Sequence, residues 1–181
     1  WHIECSAMSL KYLGNNFDFH GGGSDLIFPH HENEIAQSEA FVEEEQPFVR
    51  YWLHNGFITV NEEKMSKSLD NFFLVKDILE HYSPDVLRFF VLSTHYRSPL
   101  DFSDERLSEA QRSLARLRTA VENLTDLGKM INVATDTMPT DLSKTIAQFE
   151  QEFYEAMDDD FNTALAISVM FGLAKEINKY Y

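Results

Sequence analysis

Apolar residues recur at spacings of three and four through the C-terminal part of the chain, which is the period of one helix face. Ser103 precedes the first stripe as an N-cap, and Gly128 follows it as a stop. The polar segment 132–139 separates the first stripe from the second. The stripes are Leu107, Ala110, Leu114, Leu117, Val121 and Leu124; Leu142, Ile146, Phe149, Phe153 and Met157; and Ala164, Ile167, Phe171, Ala174 and Ile177. The pattern predicts an α-helical bundle over residues 101–181.

Residues 1–100 show a mixed pattern instead. Phe17 to His20 alternates as a half-buried strand does, Gly21 to Gly23 breaks the alternation, and a helical stretch runs from Pro29 to about Glu43. The order strand, glycine loop, helix is typical of an α/β fold. A second strand is expected at 56–60, and further helices at 75–81 and from Pro84 onward.

Composition narrows the class of protein. The chain has 181 residues, 44% of them hydrophobic and 25% charged, which excludes a disordered or collagen-like chain. No apolar run is long enough to cross a bilayer and the N-terminus does not resemble a signal peptide, so we expect a cytoplasmic location. The net charge of −15 repels polyanions unless basic residues are concentrated locally. The acidic runs 43–45 and 158–160 fit a solvated face and the start of the last helix, respectively.

One set of residues could bind a metal. His30 and Glu34 stand four apart on the predicted helix and therefore share a face, and Cys5 is the single cysteine of the chain. A thiolate, an imidazole and a carboxylate suit zinc, although a closed zinc site has four ligands. The same residues also fit a surface His–Glu pair and a small buried cysteine.

A second set lies on the polar loop after the predicted strand 56–60, where the chain reads Lys64-Met65-Ser66-Lys67-Ser68. Its ammonium and hydroxyl groups can bind a polyphosphate, and a flexible loop can close over it. A solvated turn has the same composition.

The literal string KMSKS resembles the second signature of class I aminoacyl-tRNA synthetases, and five other blocks are similar to the cysteinyl-tRNA synthetase family. The blocks occur in order, and the similarity extends from Trp1 to beyond Thr163. They are Trp1 to Met8, Phe17 to Leu26 followed by Phe28 to Glu34, His95 to Leu100, and Ala156 to Thr163. The resemblance implies that residues 1–100 are part of a Rossmann-like catalytic domain, and that residues 101–181 are a helical bundle of the tRNA-binding type.

The resemblance also implies roles for individual residues. Cys5, His30 and Glu34 match three zinc ligands that bind the thiolate of substrate cysteine. Since the fourth ligand and the HIGH-type motif are not in this sequence, we expect the chain to be a portion of a longer enzyme, inactive alone. Gly22 and Asp25 fall in the adenosine-binding turn, and Trp1 and His20 match the lining of the adenylate pocket. Lys67, with Lys64 second, matches the lysine that stabilises charge on the leaving pyrophosphate, with ATP bound together with Mg²⁺.

The implied reaction joins cysteine to tRNA(Cys) through cysteinyl adenylate, so the expected partners are ATP, L-cysteine and tRNA(Cys), for a monomer that does not bind membranes. Four arginines flank the first stripe, where they either form a basic strip for tRNA or pair with neighbouring glutamates: Arg106, Arg112, Arg116 and Arg118. Two alternatives remain: the cysteine ligase of mycothiol biosynthesis, and an inactive paralogue that binds only zinc, adenylate or tRNA.

Overall fold

A computed structural model of the protein describes residues 1–42, 46–60, 63–65, 72–130 and 140–179. The chain divides into two compact units. The first contains Trp1–Ile58 together with Arg97–Pro99, and the second contains Thr59–Tyr96 and Leu100–Tyr181. The predicted loop 132–139 and the acidic run 43–45 lie outside the described residues.

The first unit is built around a parallel strand pair. Helix α1 (His2–Leu13) precedes strand β1 (Phe17–Gly23), and helix α2 (Glu32–Val42) connects β1 to strand β2 (Val49–Asn55). The two strands pair in parallel, as a connection through a helix allows. The predicted α/β class is therefore confirmed.

Three details of this unit differ from the sequence-based expectation. The glycines do not break β1 but form its last residues. A 3₁₀ turn (Ser24–Leu26) and a π turn (Ile27–His31) precede α2, so the regular helix starts at Glu32 rather than Pro29. Neither α1 nor β2 was predicted. Gly21 packs closely against β2: a Cβ at this position would lie 3.3 Å from the Leu53 carbonyl oxygen, so a side chain would require a shift of a few tenths of an ångström.

Helices α1 and α2 pack through small and polar residues. Ser6 is the buried residue of α1, and Glu34 and Ser38 are those of α2. The Ser6 hydroxyl donates a hydrogen bond of 3.4 Å to the Glu34 backbone carbonyl. Short side chains let the two backbones approach closely, which places residues of α1 beside the start of α2.

The second unit combines a small sheet with helices. Strands β3 (Ile58–Val60), β4 (Glu63–Lys64) and β5 (Leu100–Asp101) form a sheet in the order β4-β3-β5. Helix α3 (Val75–Ile78) is shorter than predicted, and α4 (Pro84–Leu92) starts at the predicted proline. Helices α5 (Asp104–Met130), α6 (Thr140–Asp158) and α7 (Thr163–Ile177) contain the three apolar stripes. The core consists of Val86, Phe90, Phe102, Leu107 and Ala110.

One predicted helix boundary in this unit is confirmed, and two are wrong. The Ser103 hydroxyl accepts a 3.2 Å hydrogen bond from the Arg106 amide, as an N-cap should. Helix α5 continues through Gly128, because a helix tolerates glycine at modest cost. The acidic run 158–160 ends α6 instead of starting α7, whose cap is Asn162 through a 3.1 Å hydrogen bond from the Leu165 amide.

Among the described helices, none has both the length and the apolar character that a membrane span requires.

Candidate metal centre

The three predicted metal ligands meet at the junction of α1 and the start of α2. His30 lies in the π turn, Glu34 lies in the first turn of α2, and Cys5 lies on α1. The Nε2 atom of His30 is 2.8 Å from Oε1 of Glu34. The ligand atoms of all three residues lie within 4.8 Å of one another, as donors around one ion do.

The surroundings of Glu34 favour a cation there. Its side chain has 0% exposure, and neither carboxylate oxygen accepts a hydrogen bond within the described residues. His30 lies beside Oε1, and His20 lies beside Oε2, with its Nε2 atom 3.4 Å away. A buried carboxylate without hydrogen bonds is costly unless an ion compensates its charge. The orphaned oxygens and the sulfur, nitrogen and oxygen donors therefore fit a zinc ion.

A second possible ligand set shares the same carboxylate. His20, His31 and Glu34 also present ligand atoms within 4.8 Å of one another. In the second set, Nδ1 of His31 is 2.8 Å from Nε2 of His54, which leaves Nε2 of His31 as its ligand atom. The set with Cys5 adds a soft thiolate, which suits zinc better than a set of two imidazoles and a carboxylate.

The state of Cys5 depends on what it binds. Burial raises the pKa of the Cys5 thiol above its ordinary value, and the Glu34 carboxylate raises the pKa further. A thiol with a raised pKa is protonated at neutral pH and reacts poorly as a free nucleophile. A bound cation would instead favour the thiolate, so these surroundings suit a ligand better than a catalytic nucleophile.

A layer of histidines and a tryptophan lies beside the metal ligands, and the sequence analysis identified only its His20. Trp52 and His54 alternate along β2, opposite His20 and Gly22 of β1, so they share one sheet face. The rings of His20 and His31 both lie 4.8 Å from the Trp52 ring. The alternation of Trp52 and His54 could have indicated this face only if β2 had been recognised.

Burial and the nearby imidazoles of His20, His54 and His30 lower the pKa of His31 to about 4. Burial, followed by the charges of Arg97 and His20, lowers the pKa of His54. Both rings are consequently neutral at pH 7, and one donates the hydrogen bond that joins them.

Gly22 has a steric role beside this layer. A Cβ at this position would lie 2.9 Å from Cδ1 of Leu26 and 3.0 Å from Cε1 of His31. The absence of a side chain thus leaves room for the His31 ring against β1. This packing explains the glycine without reference to a nucleotide.

The other predicted adenylate residues lie near the same cluster. The Trp1 ring is 83% exposed and meets the His30 ring edge-on, with 6.1 Å between the ring centroids. Asp25 is exposed in the 3₁₀ turn, and its side chain is turned toward Gly23. The structure therefore brings Trp1, His20, Gly22 and Asp25 into the same unit as the metal ligands.

Of the two signature lysines, the structure describes Lys64, which belongs to the second unit. Lys64 ends β4, which pairs with β3 through Thr59. Met65 follows it and packs partly buried against the core of that unit. Lys67 lies outside the described residues.

Comparison with known families gives two matches along the chain. The family model described as "tRNA synthetases class I (C) catalytic domain" matches residues 1–112. The model described as "DALR domain" matches residues 152–181.

Several curated proteins are similar to nearly the whole chain. A protein named Cysteine--tRNA ligase from Carboxydothermus hydrogenoformans is 60% identical over 175 residues, covering 97% of this chain and 36% of the relative. Proteins of the same name from Desulforamulus reducens and Geobacter sulfurreducens are 59% and 54% identical over 182 and 179 residues, with 99% of this chain and 37% of each relative covered. The chain thus spans little more than a third of the length of these relatives.

Among solved structures, the LeuRS of Agrobacterium radiobacter K84 agnB2, in a ternary complex with tRNA and LeuAMS, matches with a TM-score of 0.67. The identity is 18%, and the match covers 90% of this chain and 23% of that one. At this identity, the match shows a shared fold.

Proposed function

Because this chain belongs to the class I (C) family of tRNA synthetases, we propose that it forms the metal-binding and signature-bearing portion of a cysteine--tRNA ligase. The reaction is the ATP-dependent activation of cysteine to cysteinyl adenylate, followed by transfer of the cysteinyl group to tRNA(Cys). The names of the similar curated proteins support the tRNA acceptor over the amino sugar of mycothiol biosynthesis.

The observation that carries this proposal is the buried Glu34 carboxylate, which accepts no hydrogen bond from the described residues and shares one cluster with His30 and Cys5. These three residues would hold a zinc ion. When bound, zinc supplies a soft Lewis acid that prefers the substrate thiolate to the hydroxyl of serine. A pocket without such chemistry would separate near-isosteric substrates by only about 10 to 200-fold.

The remaining residues bind and orient the reactants. The Nε2 atom of His20 lies 3.4 Å from the second Glu34 oxygen, so the His20 ring limits the movement of the carboxylate. Trp1 provides an exposed aromatic surface for the adenylate beside His30, and Asp25 accepts hydrogen bonds from ribose hydroxyls. Lys67, assisted by Lys64, stabilises the charge on pyrophosphate as the cysteine carboxylate attacks the α-phosphate of ATP, which binds with Mg²⁺.

The test is cysteine-dependent exchange of labelled pyrophosphate into ATP, measured on the longest native chain that contains this sequence. We expect exchange with cysteine and none with serine. Cys5→Ser should abolish the exchange, and Lys67→Gln should reduce it by 10²-fold or more through loss of charge stabilisation. Lys11→Gln, on the exposed part of α1, is the matched control and should leave the rate unchanged.

Absence of exchange from a folded chain that contains zinc would refute the proposal and leave a binding protein. Exchange followed by transfer to an amino sugar, with no transfer to tRNA, would replace the ligase named here with a thiol-biosynthesis ligase.

A further inference from the structure

The first unit includes one short segment from far along the chain. Arg97–Pro99 belongs to this unit, whereas the residues on either side of it, Tyr96 and Leu100, belong to the second unit. So short a segment keeps a fixed position only if both of its ends are held, because each residue otherwise retains two soft backbone dihedral angles. Both ends are held by contacts within the second unit, and these contacts differ in kind.

The C-terminal end is held by backbone pairing. Leu100–Asp101 forms β5, which lies next to β3 in the small sheet. The Phe102 amide donates a hydrogen bond of 2.7 Å to the Thr59 carbonyl. The Thr59 hydroxyl donates another, of 3.1 Å, to the Asp101 carboxylate. This end is therefore fixed as part of a sheet.

The N-terminal end is held by side chains instead. The Tyr96 hydroxyl donates a hydrogen bond of 2.8 Å to Oδ1 of Asp160, which lies 64 residues further along the chain, between α6 and α7. The His95 ring stacks on the Tyr96 ring, with 5.0 Å between the centroids. Its Nε2 atom lies 3.8 Å from Oδ2 of Asp160. One carboxylate thus contacts both aromatic residues that precede Arg97–Pro99.

The turn that contains Asp160 is strained and tightly held. Asp160 and Phe161 have φ values of 54° and 55°, in the left-handed region that residues other than glycine rarely adopt. The Phe161 amide donates a hydrogen bond of 3.1 Å to the Met157 carbonyl. A Cβ on Gly172 of α7 would lie 2.7 Å from the Phe149 ring of α6, so the helices on either side of the turn pack closely. Backbone strain persists where the surroundings enforce it, and it is concentrated at functional positions.

Within the first unit, Arg97–Pro99 packs against the residue that follows β2. A Cβ on Gly56 would lie 2.4 Å from the Ser98 carbonyl oxygen, so the two backbones are in direct contact. A shift of the segment toward Gly56 would produce a clash, and a shift away from it would open a gap. The position of the segment therefore affects the end of β2.

The end of β2 carries His54, two residues before Gly56. Burial, followed by the charge of Arg97, lowers the pKa of His54, so the segment also acts on this ring electrostatically. His54 in turn shares the 2.8 Å hydrogen bond with His31, in the layer beside the candidate metal ligands. The contacts thus run from Asp160 through Tyr96 and the backbone to this layer.

We propose that Asp160 is a positioning residue for the activation of cysteine. Through Tyr96, it fixes Arg97–Pro99 against the end of β2 and thereby holds His54 and His31 beside the metal centre. The identity of the reaction rests on the function proposed above, whereas the positioning rests on the contacts alone.

The test uses variants of the longest native chain that contains this sequence. Tyr96→Phe removes only the hydroxyl group, and Asp160→Asn removes the charge but keeps a residue that tolerates positive φ. Each variant should raise the KM for cysteine in pyrophosphate exchange by roughly three- to tenfold, the equivalent of one net hydrogen bond, with little change in the KM for ATP. The two effects should not add in the double variant, because both substitutions weaken the same contact.

Tyr82→Phe is the matched control. The Tyr82 hydroxyl shares a 3.0 Å hydrogen bond with the Ser108 hydroxyl in the second unit, away from residues 95–99. Its loss should lower the melting temperature and leave both KM values unchanged. Thermal melts verify that each variant is folded. If Tyr96→Phe unfolds, Asp160→Asn provides the same test, because its amide oxygen can still accept a hydrogen bond.

A spectroscopic measurement separates the positioning from the catalytic activity. In chains with isotope-labelled histidine, the NMR signals of the His54 and His31 rings are assigned from the spectra of His54→Gln and His31→Gln. Tyr96→Phe should shift the His54 signal, and Tyr82→Phe should not.

Two results would overturn the proposal. The first is an unshifted His54 signal in Tyr96→Phe. The second is a loss of kcat and melting temperature without a change in the KM for cysteine, which would make the contact purely structural. If the unsubstituted chain shows no exchange, the proposed ligase function fails, and the histidine spectra then decide on the positioning by themselves.

Discussion

Replacing Glu34 with glutamine should change stability in opposite directions with and without metal. The substitution keeps the shape of the side chain and removes its charge. In the metal-free protein, Glu34 is a fully buried carboxylate whose oxygens accept no hydrogen bond from the described residues. The neutral amide has a smaller cost of burial and can donate hydrogen bonds to the facing imidazoles.

We expect metal-free E34Q to be as stable as the unsubstituted protein or more stable, by up to about 1 to 3 kcal/mol, the range for an unsatisfied buried polar group. In the presence of zinc, the unsubstituted protein should instead be the more stable of the two. A metal at a thousand times its Kd stabilises a folded protein by about 4 kcal/mol, and a variant with a weakened site loses most of this stabilisation. The two stability curves should therefore cross as the zinc concentration rises.

The assay is thermal or urea unfolding of the full native chain in a chelator and in a zinc series, with metal content measured on the same samples. Glu32→Gln is the matched control, because it makes the same change two residues earlier, at an exposed position of α2. The control should follow the unsubstituted protein at every zinc concentration.

One result would refute this reasoning. If Glu34 were the acceptor of an ordinary ion pair with His20 and His30, breaking the pair would cost about 3 to 5 kcal/mol. That loss would be equal in chelator and in zinc, and the zinc content of the variant would be unchanged.

Three further predictions concern other residues of the chain. Gly22→Ala should destabilise the protein by about 1 to 3 kcal/mol, because its Cβ would overlap Leu26 and the His31 ring. Gly128→Ala, with open space inside α5, should stabilise the protein by about 0.5 to 1 kcal/mol. If the two substitutions changed the free energy of unfolding in the same direction, this reasoning would be contradicted. The pKa of His31 is lowered from 6.5 to about 4, because the folded protein favours the neutral ring. This contribution to stability is fully present above pH 6.5 and is lost as the pH falls toward 4. His31→Gln should flatten the loss in melting temperature over that range, and exposed His81→Gln should not. Because the pKa of Cys5 is raised, zinc binding releases one proton near neutral pH, and the zinc affinity should increase about tenfold per pH unit. Calorimetry of Cys5→Ala should show weaker zinc binding and a shallower dependence of affinity on pH. An unchanged pH dependence would exclude the thiolate as a ligand.

Much of the second unit could be predicted from the sequence, because its helices bury apolar stripes. Helices α5, α6 and α7 contain the three stripes, and Leu107 and Ala110 of the first stripe lie in the core. The resemblance to cysteinyl-tRNA synthetases is confirmed by the family match and by the curated relatives. It depended on literal motifs rather than on periodicity.

The first unit was less predictable because its buried faces are not apolar. Helix α2 buries Glu34 and Ser38 on the side that faces α1, so a hydrophobic pattern cannot identify that face. Strand β2 mixes tryptophan, histidine and leucine without a regular alternation of polarity, since its histidine and tryptophan pack against other rings.

The candidate site was predictable only in part. The spacing of His30 and Glu34 and the single cysteine indicated the ligands, and the structure places their atoms together, but their binding of zinc stays a prediction. The supporting histidines His31 and His54 depend on the pairing of β1 with β2, a contact between distant segments that local sequence does not encode.

The first unit is discontinuous in sequence, and this affects how it can be made. Arg97–Pro99 belongs to it although the intervening residues 59–96 belong to the second unit. A Cβ on Gly56 would lie only 2.4 Å from the Ser98 carbonyl oxygen, so the segment Arg97–Pro99 packs tightly against Gly56. During synthesis at roughly 5 to 20 residues per second, the segment Arg97–Pro99 is added on the order of seconds after residues 1–58, and the first unit cannot be completed before then. A gene fragment that ended at Ile58 would encode Cys5, His30 and Glu34 but would leave the unit that holds them without Arg97–Pro99.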